Sequence, residues 1–329
     1  MQNSNKILQA LGIPFTALVS VIFGLLLVSF PIGIFVVFES EIGGDINYEY
    51  PFTHLELFIG TEMYQAPIDI SIGDVFVILW TFYLALFVIA ILGPKHGFLK
   101  SLSSIISFGK YDTNSNYLIS VIKWFSILVL ISVLINFIQE QFSIEIIPPL
   151  VDNDLIQFFY LSLAPLVEEF GFRLILIGVP LFIIYSHKSS IKYFIKCLWD
   201  PGNLDIHDYK KAIFLIVFVG IVFGFAHIAL GDSWSEGKFA QAAASGIILG
   251  WAYLRYGFVA CLLIHWATNY FIFSYANFIS QLNFISIEDT FSHSLMSSLE
   301  LLFLITGSLS ICILFVSRFY SKKVSDLEV

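Results

Sequence analysis

The sequence predicts an all-α polytopic membrane protein of about eight transmembrane helices, with its functional site inside the helix bundle. Three observations lead to this class. Hydrophobic residues make up 58% of the chain and charged ones 12%, where soluble domains carry about 25% charged residues. Apolar runs recur at close to the ~20 residues needed to cross about 30 Å of hydrocarbon. The basic residues sit almost wholly in alternate connections between those runs, which is how lysine and arginine fix topology.

The first run, 12–38, is too long for a signal-peptide core, follows a single lysine and lacks a small-residue cleavage pattern. It reads as a retained helix. A loop from Glu39 to Ile72 follows, with seven acids and no lysine or arginine. The second and third runs, 73–93 and 117–138, are of spanning length, and the fourth, 155–186, carries "APLVEEFGFRLIL". Residues 187–211 form the one substantial linker. Its "IKYFIKCLW" alternates lysine with bulky apolar side chains and suits the inner leaflet surface. The fifth run, 212–230, leads into "IVFGFAHIALGD"; the sixth, 239–256, is the weakest; the seventh, 258–279, opens with "FVACLLIHWATNYFIF"; the eighth is 295–317.

With the N-terminus inside, Lys6, the lysines at 95, 100, 110, 188, 192, 196, 210 and 211, Arg255, Arg318, Lys322 and Lys323 all fall on the cytoplasmic side. Only Lys238 lies in a loop assigned outside. The expectation is a multi-pass protein of the cell membrane with both termini cytoplasmic. The net charge of −9 leaves no basic stripe for nucleic acid. Cys197, Cys261 and Cys312 fall in a cytoplasmic loop and two spans, which implies no disulfide framework.

An ionised group at mid-depth in lipid costs about 2.5–3.5 kcal/mol on insertion scales, so charges inside spans need a reason. Glu169 and Arg173 stand four apart, acid first, the favoured order for a helical ion pair. Glu168 points to another side of the helix and is left over. Pro165 frees a backbone carbonyl one turn earlier, and Gly171 allows a close approach. An ion cluster that only holds helices together is the plainer reading of these three. His227, between Gly224 and Gly231, reads equally as an interhelical hydrogen-bond partner, and Asp232 as a helix-end acid or an outer support. His265 and Asn269 are stacked one turn apart on a face that also carries Cys261. They can donate two hydrogen bonds toward one point, as an oxyanion requires, or simply join helices.

Three short patterns recur in order on three spans: Glu-Glu-x-x-x-Arg in "EEFGFR", Phe-x-x-x-His in "FGFAH" and His-x-x-x-Asn in "HWATN". In this the chain resembles the CPBP (CAAX protease and bacteriocin-processing, or Abi) family of intramembrane proteases, to which the type II CAAX prenyl endopeptidases belong. The glycine-rich "GIILGWAYLRYGFVACLLIHWATN" adds to the likeness. The resemblance covers about residues 155–280, which it implies to be a catalytic core; the hydropathy pattern leaves a three-helix N-terminal region over 1–154 and a C-terminal helix with a cytoplasmic tail over 281–329.

The resemblance also implies roles. Glu168 activates a water that His227 helps to hold, Glu169 and Arg173 tune Glu168 in opposite senses, and His265 with Asn269 stabilises the tetrahedral oxyanion. The substrate is then a membrane-associated peptide, hydrophobic and in some family members prenylated, reached through a water-filled cavity that the prenyl proteases suggest opens to the cytoplasm. Two variants stand side by side: zinc held by Glu168, His227 and His265 with a water in the fourth place, and a metal-free glutamate mechanism with the same residues. A secondary transporter, marked by polar midplane residues on interrupted helices, is the reading from another class. A non-catalytic membrane scaffold or immunity protein is the third.

Overall fold

Burying polar backbone in lipid leaves helices as the economical solution for spanning segments, and the chain follows it. The computed structural model describes all residues except 1, 60–61, 112–115, 150–152, 189, 230–233 and 326–329. Helices α1 (Gln2–Phe38), α2 (Ile72–Leu92), α4 (Tyr117–Gln141), α8 (Tyr209–Ala229) and α12 (Ser294–Ser325) match predicted spans, with the short α3 (Phe98–Phe108) between α2 and α4. The fourth span is one helical run in three parts: α5 (Asp154–Glu169), a π-helical stretch Phe170–Gly178, and α6 (Val179–Tyr185).

The sixth and seventh spans are the two arms of a single run. Helix α9 (Lys238–Trp266) passes into a π-helical turn, Ala267–Phe271, and then α10 (Ile272–Asn283). Gly257, with φ of +78°, breaks this run between the arms. A side chain there would sit 2.8 Å from the Trp199 carbonyl oxygen, so only glycine suits both the backbone and the contact. Among the described residues, six helices are long and apolar enough to cross a membrane. Lys238–Asn283 counts once among them although it is bent, and the interrupted run Asp154–Tyr185 supplies the remaining predicted span. The protein is an all-α polytopic membrane protein.

Two elements differ from the expected loops. Residues predicted to be a plain acidic loop contain an antiparallel hairpin, β1 (Pro51–Ile59) and β2 (Glu62–Ser71), with Pro51 opposite Ser71 and an irregularity between Phe52 and His54. Phe52 is buried against Phe159 of α5 at 5.2 Å between rings, and the Ser71 hydroxyl then caps α2 by accepting from the Asp74 amide. Helix α3 buries Phe98, Leu102 and Ile105 at helical spacing. At about 16 Å it is too short to cross. The "IKYFIKCLW" linker is helix α7 (Ile191–Trp199), with Cys197 turned inward and Ile191 and Ile195 exposed.

Two packing arrangements fix the helices that carry the motifs. Phe30, Trp266, Tyr270, Phe76 and Phe158 form a continuous stack joining α1, α2 and α5 to the end of α9, with Trp266 5.0 Å from Phe30 and 5.2 Å from Tyr270. On the other side α8 and α9 approach backbone to backbone at Gly220 and Gly246, where a methyl added to Gly246 would lie 3.0 Å from the Gly220 Cα. Small residues permit that approach in a membrane, where packing rather than hydrophobicity drives association.

Candidate active site

Glu168 and Glu169 are the last residues of α5, at the point where the helix widens into its π-helical stretch. Such widenings are rare and gather at functional sites. Asn269 sits in the second one, Ala267–Phe271, just beyond His265. The two irregularities therefore flank the same group of side chains.

Glu169 is wholly buried and ties two helices together. One carboxylate oxygen accepts from His265 Nδ1 at 2.7 Å, and the other lies 3.0 Å from Arg173 Nε. The Arg173 guanidinium, also fully buried, lies over the Phe223 ring at 4.5 Å and donates weakly to the Gly246 carbonyl at 3.4 Å. Its Nε makes no aligned hydrogen bond despite the short distance to Glu169, so the contact acts as charge pairing. Cation and ring face supply part of what water would give the guanidinium.

Because a carboxylate only accepts, His265 commits its Nδ1–H to Glu169, which directs Nε2 elsewhere. That nitrogen faces Glu168 Oε2 at 3.8 Å, too long for a hydrogen bond. Glu168 Oε2 is buried and has no hydrogen-bond donor among the described residues. A carboxylate oxygen so placed needs a donor from water or a ligand. His227 donates its Nδ1–H to the Phe223 carbonyl at 2.9 Å, leaving Nε2 as its other polar atom. The Thr268 hydroxyl donates to the His265 carbonyl at 2.6 Å and lies 3.3 Å from Asn269 Oδ1.

His227, His265 and Asn269 line one cavity of about 470 Å³ between α4, α9 and α12. Leu161, two turns before Glu168 in α5, also lines it, whereas Glu168, 20% exposed, is not a lining residue and adjoins the cavity through His265. The structure thus brings Glu168, Glu169, Arg173 and His265 into contact and places His227 and Asn269 around the same space. Cys261, expected on the His265 face, is buried beside Glu169 and Arg173, donates to the Phe258 carbonyl and does not line the cavity. Asp232 lies outside the described residues.

Several lining residues were given no role in the sequence reading. Phe223, the aromatic residue of "FGFAH", touches Arg173, His227 and His265, with its ring 4.6 Å and 6.1 Å from the two imidazoles. Near the helix ends the cavity is edged by Asn136, Glu300 and Lys238, whose ammonium binds Gln241 Oε1 at 2.7 Å and lies 4.2 Å over the Trp234 ring. Lys238 had one mark in the sequence, as the sole basic residue assigned outside.

Of the donors suggested for zinc, Glu168 Oε2 and His265 Nε2 stand 3.8 Å apart, and the Glu169 hold on Nδ1 leaves Nε2 as the ligand atom. With His227 included, the three residues do not bring one ligand atom each within 4.8 Å of one another. Among the described residues the group that does meet that spacing is His187, Asp205 and His207, exposed on the connection between α6 and α8 and outside the cavity.

Residues 153–271 match the family model described as type II CAAX prenyl endopeptidase, Rce1-like. Comparison with curated proteins and with solved structures finds no match. The matched segment begins just before α5 and ends in the π-helical turn holding Asn269, so it takes in all three motifs, while α4 and α12, which also line the cavity, lie outside it. Over this segment the chain is similar to the type II CAAX prenyl endopeptidases, which supports the resemblance to the CAAX protease (CPBP) family drawn from its motifs.

Proposed function

We propose that the protein hydrolyses a peptide bond of a hydrophobic, membrane-associated peptide inside the helix bundle, by water that Glu168 activates. The observation that carries this reading is the clamp on His265: Glu169 holds Nδ1 at 2.7 Å, so Nε2 is aimed at a buried Glu168 oxygen that has no donor of its own among the described residues. A carboxylate poised beside a cavity, short of donors and next to a fixed imidazole, is the arrangement a general base requires.

In the proposed reaction Glu168 takes a proton from water as the water oxygen bonds to the scissile carbonyl carbon. The carbonyl electron pair moves onto oxygen, and the Asn269 amide NH2 donates to that oxyanion. His265 donates from Nε2 only when both ring nitrogens carry protons, because its Nδ1–H is committed to Glu169. His227 accepts from the water through Nε2 and holds it in line. Collapse of the tetrahedral species breaks the carbon–nitrogen bond, and the proton on Glu168 passes to the departing amine. Glu169 and Arg173 are positioning residues, since they reach the cavity only through His265 and Phe223. No step passes through a metal.

The test uses the full-length protein in nanodiscs with a hydrophobic peptide bearing a fluorophore and quencher. Glu168→Gln removes the base without changing shape, and the expected loss of cleavage is about 10²–10⁴-fold, with thermal unfolding unchanged. Cleavage by Glu168→Gln at the wild-type rate contradicts the proposal.

A further inference from the structure

We propose that the cavity opens to the extracytoplasmic side of the membrane, so that its substrates are peptide segments already carried across the bilayer or anchored in its outer leaflet. The proposal rests on the hydrolytic reading for what enters the cavity, and on independent observations for the side from which it enters.

The first observation is where the lining residues lie along their helices. Asn136 is close to the C-terminal end of α4, Lys238 is the first residue of α9, Trp234 lies in the connection between α8 and α9, and Met296 is in the first turn of α12. These ends are joined to one another. The Gln139 side chain donates to the Gly237 carbonyl at 2.8 Å, and the Ser235 hydroxyl donates to the Glu145 carbonyl at 2.8 Å. The other end of the bundle, made by residues 93–116 and 186–208 and the bend at Gly257, contributes nothing to the lining among the described residues. Among the described residues the lining therefore reaches one end of the bundle and not the other.

The second observation is charge. Of the 16 lysine and arginine residues, Lys238 alone belongs to the connections at the cavity end. The opposite end holds Lys95, Lys100 and Lys110 between α2 and α4, five lysines between α6 and the first turn of α8, and Arg255 just before the bend. Basic residues close to span ends stay in the cytoplasm, so the end without them faces out. The reverse orientation would send every one of these groups across the membrane.

Together these assign the mouth to the outside and narrow the substrate class. A lipidated C-terminus lying in the inner leaflet meets the closed, lysine-rich end of the bundle. The step that must precede hydrolysis is then translocation of the peptide, and the enzyme acts on what export delivers.

Substituted-cysteine labelling in intact cells tests the face without reading catalysis. Asn136→Cys, Glu300→Cys and Lys188→Cys are each placed in a Cys312→Ser chain, Cys197 and Cys261 being buried, and treated with a membrane-impermeant maleimide. The expected result is that the two mouth cysteines label at least ten-fold faster than Lys188→Cys, which labels only after permeabilisation. The reverse order overturns the proposal, as do mouth cysteines that stay unlabelled in both conditions. A cytoplasmic mouth would leave the role of Glu168 standing, and a chain unable to hydrolyse peptides would still report its accessible face.

Discussion

Glu169 shows how one buried carboxylate serves two helices at once. It neutralises Arg173 within its own run and fixes the ring of His265 from α9. Buried ion pairs are poor sources of stability, because desolvation offsets much of the attraction, yet removing one partner strands the other. Arg173→Met should therefore destabilise the protein by about 3–5 kcal/mol, seen as a lowered unfolding temperature in detergent. The double variant Arg173→Met with Glu169→Gln should recover part of that loss, since no charge is left alone. Equal losses in the single and double variants would show that shape, not charge, matters there. These residues were legible in the sequence because a charge inside a span is expensive. Phe223 was marked only as the first residue of the Phe-x-x-x-His pattern, and nothing in the sequence placed its ring against Arg173.

At the scale of elements, the site depends on an α8–α9 contact too close for side chains. The Gly246 carbonyl accepts from Arg173, and its Cα faces Gly220 and Phe223. Gly246→Ala would place a methyl 3.0–3.1 Å from those neighbours. Overpacking of this kind costs about 1–3 kcal/mol, and parting α8 from α9 should also move His227 from His265, so cleavage should fall along with the unfolding temperature. A fully active, equally stable Gly246→Ala protein would show that the contact is slack. Helix α7 makes a separate prediction. Burial pushes the Cys197 thiol up, and the thiolate is the species that reacts. Alkylation of Cys197 at neutral pH should be slow in the folded protein and rapid in denaturant, as followed by mass spectrometry; fast labelling of folded protein would place α7 differently. The break at Gly257 could be read as a boundary between spans, whereas the two π-helical stretches have no residue type that announces them.

Across the whole molecule, a twenty-residue hydropathy window finds the spans because lipid imposes that length on every crossing. The same window averages away the β1–β2 hairpin, whose signal has a period of two and lies among acids. It also passes over Asn136, Lys238 and Glu300, since polar residues near helix ends cost little and stand out only when a cavity is seen between them. The site itself lies well inside. From Lys238 to Gly246, which Arg173 reaches, α9 descends about 12 Å, close to half the thickness of the hydrocarbon. Three patterns far apart in sequence meet there, and the claim on which function depends is that they act together. Its most direct measurement is the cleavage rate of a membrane peptide by Glu168→Gln, by Asn269→Ala and by the double variant. If base and oxyanion donor serve one transition state, each single change lowers kcat, Asn269→Ala by about 10²–10³-fold, and the double variant is little worse than the weaker single one. Wild-type rates in either single variant would contradict the account.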